Sequence, residues 1–168
     1  MKLLIVKTSS LGDVVHCLPA VTDACKVIPD LQIDWLVEEG FSEIPKWHSG
    51  VNKVIKVAVR RWRKTPFSKQ NRQEIKLVQQ QLASAKYDLV IDAQGLIKSA
   101  WMTRWAKAPV YGYDRQSIRE PLASLFYRHS FRISREQHAV LRVRELFSKA
   151  LGYQFDPEVI DYGLKTFC

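Results

Sequence analysis

Apolar residues fall in short blocks separated by turn residues, and the blocks alternate between strand-like runs and helical spacing. Lys2–Lys7 holds four apolar residues between two lysines and predicts a short buried strand, followed by the turn-rich loop Thr8-Ser9-Ser10-Leu11-Gly12-Asp13. From Val14 to Ile28 the residues Val14, Val15, Leu18, Val21, Ala24, Val27 and Ile28 recur at helical spacing. One helix is expected there, kinked at Pro19 and stopped by Pro29-Asp30. Gln32–Val37 and Val54–Val59 predict two further strands. Arg60 to about Arg72 is a long, mainly polar stretch that predicts a loop, before an amphipathic helix from about Gln73 to Ala85. Tyr87–Asp92 is the clearest buried strand, leading through Ala93-Gln94-Gly95 into a helix from about Ile97 to Ala106. Val110–Tyr113 predicts a short strand, and His138–Leu151 a last helix closed by Gly152.

Strands alternating with helices imply right-handed βαβ units and a parallel sheet covered on both faces. The expected fold class is α/β, Rossmann-like. At 168 residues the chain fits one domain. The start faintly resembles a signal peptide, but its apolar core is too short and Lys7 closes it, so a buried strand is expected instead. No apolar run reaches the roughly 18–20 residues that span a bilayer. After Gly152 the chain turns irregular and reads as a sequence cut at a linker.

The formal net charge of +9 points to an anionic partner: nucleic acid, an acidic membrane face or a phosphorylated ligand. Much of it is concentrated in Arg60-Arg61-Trp62-Arg63-Lys64, four cations in five residues, able to hold phosphate or carboxylate in bidentate fashion. A solvated surface loop is the plainer alternative. No RNA- or DNA-binding signature accompanies the run. Of the three cysteines, Cys17 and Cys25 lie on one predicted helix, roughly 12 Å apart by helical rise. A disulfide needs Cα atoms about 4–7 Å apart. With Cys168 too far along the chain for a Cys-x-x-Cys pair, a reducing cytoplasm fits this pattern. His16, His48 and His129 form no metal spacing, and no Asp-x-Asp occurs, so neither metal nor cofactor is expected.

In open α/β sheets ligands bind beyond the carboxyl ends of strands, which singles out two loops. In the first, Gly12 would let a ligand approach closely and Asp13 could act as a general base. The plainer reading is that Asp13 serves only as a helix N-cap. In the second, Gln94 could bond a sugar hydroxyl, or Asp92 could merely orient the backbone. Arg119, beside Glu120-Pro121, would add a positive group to the same crevice, and His138 could donate to an acidic group or be structural.

Several segments together resemble the heptosyltransferase family. They are Leu4–Asp13, Asp34–Phe41, Arg60–Lys64, Val90–Ser99, Arg119–Tyr127 and Gln137–Val140, in that order, over Met1 to about Tyr153. The resemblance implies a metal-independent, inverting glycosyltransferase of the two-domain GT-B type. Residues 1–153 would form the N-terminal acceptor-binding domain, 154–168 would begin the interdomain linker, and the donor-binding domain would be absent. It implies transfer of L-glycero-D-manno-heptose from ADP-heptose to Kdo of Kdo2-lipid A, on the cytoplasmic face of the inner membrane. Asp13 would be the catalytic base. Ser10, Gly12, Arg60, Arg61, Arg63, Lys64, Gln94, Arg119 and His138 would bind the acceptor, the carboxylate sharing one crevice with the arginine cluster. Competing readings are a non-catalytic module for anionic lipid surfaces or for nucleic acid.

Overall fold

Among the described residues six strands pair in parallel: Lys2–Val6 (β1), Gln32–Glu38 (β2), Val51–Val57 (β3), Leu89–Asp92 (β4), Val110–Tyr113 (β5) and His129–Phe131 (β6). Their order in the sheet is β3-β2-β1-β4-β5-β6. This is the doubly wound order, in which the chain builds outward from β1 to one edge and then returns to build toward the other. The computed structural model describes residues 1–165.

Strand side chains alternate in direction, and here each direction has its own core. Leu3 and Ile5 of β1 with Trp35 and Val37 of β2 belong to one buried cluster; Leu4, Val6 and Leu36 belong to the other. Among the described residues seven α-helices cover the faces: Leu11–His16 (α1), Leu18–Val27 (α2), Glu43–Lys46 (α3), Val59–Lys64 (α4), Lys69–Ser84 (α5), Ile97–Thr103 (α6) and Ala139–Leu151 (α7). Val14, Val21 and Ala24 join Val143, Leu146 and Phe147 in the first core, where α2 lies against α7. Trp62, Val78, Leu82 and Met102 close the second. The Rossmann-like expectation holds, helices on both faces included.

Several boundaries differ from expectation for physical reasons. The helix expected over Val14–Ile28 is two, α1 and α2, broken at Cys17, with Pro19 tolerated near the start of α2. The third strand ends at Val57, and Val59 already belongs to α4. The loop expected from Arg60 is therefore helical through Lys64, and α5 begins at Lys69, where the Ser68 hydroxyl accepts the Asn71 N–H at 3.4 Å. Strand β6 carried no periodicity in the sequence; pairing with β5 alone makes it a strand.

Beyond Tyr153 the chain is irregular, as expected, and its described residues keep contact with the domain. Asp161 pairs with Lys26 at 2.9 Å, the Lys165 N–H donates to the Trp47 carbonyl, and Leu164 bridges His48. The buried Arg144 of α7 donates twice to Asp23 of α2, at 2.6 and 3.1 Å, and once to the Asp156 carbonyl at 2.9 Å. Cys17 and Cys25 are free thiols, as expected, and burial pushes Cys17 up to about 12. Cys168 lies outside the described residues.

Candidate active site

The strand order reverses between β1 and β4, and the loops leaving those two strands part there to leave a cleft of about 160 Å³. Lys7 and Asp13 line it from the first loop, Gln94 and Gly95 from the second, with His16, Arg119 and Arg142 completing the polar wall.

Asp13 sits in the first turn of α1, where it closes a capping box: its Oδ2 accepts the Ser10 N–H at 3.2 Å and the Ser10 hydroxyl at 3.0 Å. Ser10, not Asp13, is thus the N-cap, and its hydroxyl is occupied by the carboxylate. Partial burial pushes the Asp13 carboxyl up. The Ser10 N–H, the Lys7 charge, the Ser10 hydroxyl and His16 together outweigh it and hold the group below its ordinary value. The carboxylate is therefore ionised at neutral pH. Gly12 needs no special backbone conformation; it is exposed, and a Cβ there would meet nothing within 4 Å. What its missing side chain does is keep the space over α1 open.

Lys7 escaped the sequence reading because a lysine after four apolar residues looks like nothing more than the end of a strand. Its side chain is only 8% exposed, and Nζ donates to one protein acceptor among the described residues, the Ala93 carbonyl at 3.1 Å. An ammonium has three donors. Burial lowers its pKa, with the charges of Asp13 and Asp92 among those opposing. Arg142 was missed too, one helical turn beyond His138: it stacks over Tyr113 at 4.7 Å and donates to the Ser117 carbonyl at 2.7 Å. A cation four residues after a flagged histidine on one helix was the available signal.

Asp92 is fully buried and does orient the second loop. Its Oδ1 accepts the N–H groups of Gln94 and Gly95; its Oδ2 accepts the Tyr127 and Ser99 hydroxyls at 2.6 and 3.1 Å. Burial raises its pKa even so. Gly95 adopts φ +70, and a Cβ there would lie 3.0 Å from Ile118. Gln94 in turn joins the two loops, its Oε1 accepting the N–H groups of Thr8 and Ser9 at 3.0 and 3.1 Å. Its amide nitrogen has no protein acceptor among the described residues, and the residue faces the cleft.

Three of the expected residues, Asp13, Gln94 and Arg119, therefore meet in one cleft, with Ser10 and Gly12 at its rim through α1. His138 stands at the edge, its Nδ1 accepting the Val140 N–H and its ring 5.8 Å from that of His16. The basic run does not share the cleft. Arg60, Arg61, Arg63 and Lys64 lie on α4, beyond the end of β3, and none lines the cavity around Asp13. The helix exists because Glu38, at the end of β2, accepts the N–H groups of Val59 and Arg60 at 3.2 and 3.3 Å. Trp62 turns inward and donates to Glu74 at 2.8 Å. Arg61 is committed internally, to Glu74 at 2.7 Å and Glu39 at 3.3 Å. Among the described residues Arg60, Arg63 and Lys64 have no carboxylate partner, so three cations of the run face outward instead of four.

Comparison with known proteins adds the context. Residues 75–167 match the family model described as glycosyltransferase family 9 (heptosyltransferase). The chain is 57% identical over 165 residues to lipopolysaccharide heptosyltransferase 1 of Pseudomonas aeruginosa, covering 98% of this chain and 46% of that protein. It superposes on the E. coli heptosyltransferase WaaC bound to ADP with a TM-score of 0.94 and 54% identity, over 97% of this chain and 51% of the other. WaaC with ADP-2-deoxy-2-fluoro heptose gives 0.93 and 55% identity, over 96% and 52%. The chain thus spans about half the length of the relatives it matches.

Proposed function

Because the chain belongs to glycosyltransferase family 9, the heptosyltransferases, we propose that it is the acceptor-binding half of a lipopolysaccharide heptosyltransferase. Residues 1–153 form the acceptor domain and 154–168 lead toward the donor-binding half. The reaction transfers L-glycero-D-manno-heptose from ADP-heptose to a Kdo hydroxyl of Kdo2-lipid A, and this half alone does not complete it. The donor assignment is supported by the nucleotide-sugar analogue in the E. coli relative's structure. The observation that carries the reading is an ionised carboxylate, Asp13, set in the cleft at the sheet's reversal point among Lys7, Arg119 and Arg142.

Asp13 takes the proton of the accepting hydroxyl. The oxygen then attacks the anomeric carbon from the face opposite ADP, the carbon–oxygen bond to the diphosphate breaks, and configuration inverts. Lys7 and Arg119 meet the acceptor's carboxylate and phosphates, and the Gln94 amide nitrogen donates to a hydroxyl. Arg60, Arg63, Lys64 and His138 bind anionic groups farther out, and Arg61 holds α4 in place for them. No described helix is long and apolar enough to cross a membrane, and the outward cations of α4 suit peripheral contact with the anionic inner-membrane face.

The test uses this chain joined to the C-terminal half of the E. coli relative. Asp13→Asn keeps an acceptor for Ser10 but removes the base. Turnover is expected to fall by a factor of about 10²–10⁴ with acceptor KM nearly unchanged. Turnover surviving within a factor of a few would take Asp13 out of the mechanism.

A further inference from the structure

A second and larger cavity is lined by residues that follow those of the cleft directly in the chain. It is an open groove of about 770 Å³ between α4, α5 and α6, within the roughly 300–1,000 Å³ common to ligand pockets. Its floor and sides are apolar: Trp62, Ile75, Ile97, Trp101, Met102 and Trp105. Ile97 and Trp101 remain 42% and 53% exposed and adjoin the other apolar lining residues in one continuous trough. The lining also carries two cations, Arg63 and Lys98, against one carboxylate, Glu120, and Lys64 adjoins Arg63 on α4.

Cleft and groove share two stretches of chain, around Gly95–Ile97 and Arg119–Glu120. The Glu120 N–H donates to the Gly95 carbonyl, and the Ile97 N–H donates to the Glu120 carboxylate at 2.6 Å. Gly95 and Arg119 face the cleft; Leu96, Ile97 and Glu120 face the groove. Arg119 of the cleft is followed directly in the chain by Glu120 of the groove, as Gly95 is by Leu96. A ligand spanning both must be anionic at one end and hydrocarbon at the other.

We propose that this groove seats an acyl chain of the acceptor itself, so that the domain grips an anionic amphiphile by both its charged head and one of its tails. The inference rests on the acceptor-binding reading above and deepens it. Arg63 and Lys98 can meet a phosphate carried by the sugar head, and the tryptophans cover the chain. Recognition of the tail also explains why three of the chain's five tryptophans gather at one surface trough.

Those tryptophans are the reporters. Octyl phosphate, dodecyl phosphate and inorganic phosphate, the first two below their micelle concentrations, are titrated into the chain while its emission is followed. Each fully buried methylene is worth about fourfold in affinity, so even a half-covered tail should bind at least about tenfold tighter as dodecyl than as octyl phosphate. The emission should shift to the blue. The doubly substituted chain Ile97→Glu, Trp101→Glu, altered only at partly exposed positions, should lose that chain-length gain while keeping its affinity for inorganic phosphate and its melting temperature. Equal affinities for the two alkyl phosphates would overturn the proposal, as would a gain that survives the double substitution. A third arm uses vesicles of phosphatidylglycerol and phosphatidylcholine. Loss of vesicle binding in the variant with the dodecyl gain intact would make the groove a bilayer contact and reject the acyl seat. Heptose transfer by the joined enzyme is measured separately, so none of these failures is confused with failure of the acceptor reading.

Discussion

Asp13 and Lys7 are opposite charges placed where water is partly excluded, and each changes the other's chemistry. The Lys7 charge is one of the forces holding Asp13 ionised below the ordinary carboxylate range. Lys7→Met should therefore raise the Asp13 pKa and move the acid limb of kcat/KM for the joined enzyme to higher pH. The sign follows because the base works only when unprotonated: a depressed pKa keeps it active further into acid, and releasing that depression gives activity up sooner. A pH–rate profile checks this, and an acid limb that stays put would show that Lys7 does not act on Asp13. Asp13, Gln94 and Arg119 were legible in the sequence because they follow strand ends or adjoin a turn. Lys7 was not, because burial and pairing decide its role and neither is visible in a run of letters.

The elements teach a similar lesson through α4. Its N-terminus is capped by Glu38, 21 residues earlier in the chain, so no local cap signal announces it and the run read as a loop. Arg61 was expected to face a ligand, yet it turns to Glu74 and Glu39 across the gap to α5 and the end of β2. The Arg61 and Trp62 donors hold the Glu74 carboxyl down at about 2, against an ordinary 4.5. A carboxylate depressed on folding contributes stability that is full above its unfolded pKa and disappears as pH falls through the folded one. Between about pH 4.5 and 2, then, wild-type melting temperature should drop more steeply than that of Glu74→Gln; parallel curves would mean the pair contributes nothing. The split of the helix after Cys17 was hinted at by Pro19, whereas β6 offered no pattern at all, since partner strands alone define it.

For the whole molecule, the alternation of strands and helices sufficed to predict a doubly wound sheet, because hydrophobic period is a global constraint that few topologies satisfy. Which loops become neighbours follows from strand order, and strand order separates the basic helix from the carboxylate that the sequence had put in one crevice with it. The opposite face is tied by Arg144, which joins α2, α7 and the segment after Tyr153 through Asp23 and the Asp156 carbonyl. Removing one partner of a buried pair leaves the other uncompensated, so Arg144→Ala should cost about 3–5 kcal/mol in urea unfolding. A loss under 1 kcal/mol would place that face outside the cooperative core.

The Ser10–Asp13 capping box has one more consequence. The carboxylate that anchors the opening turn of α1 does so best while charged, since a helix start favours negative charge by about 0.3–1 kcal/mol. Any proton landing on Asp13 slackens its grip on the Ser10 amide. The box therefore favours the ionised carboxyl, and a proton on Asp13 is held less firmly than on an exposed aspartate.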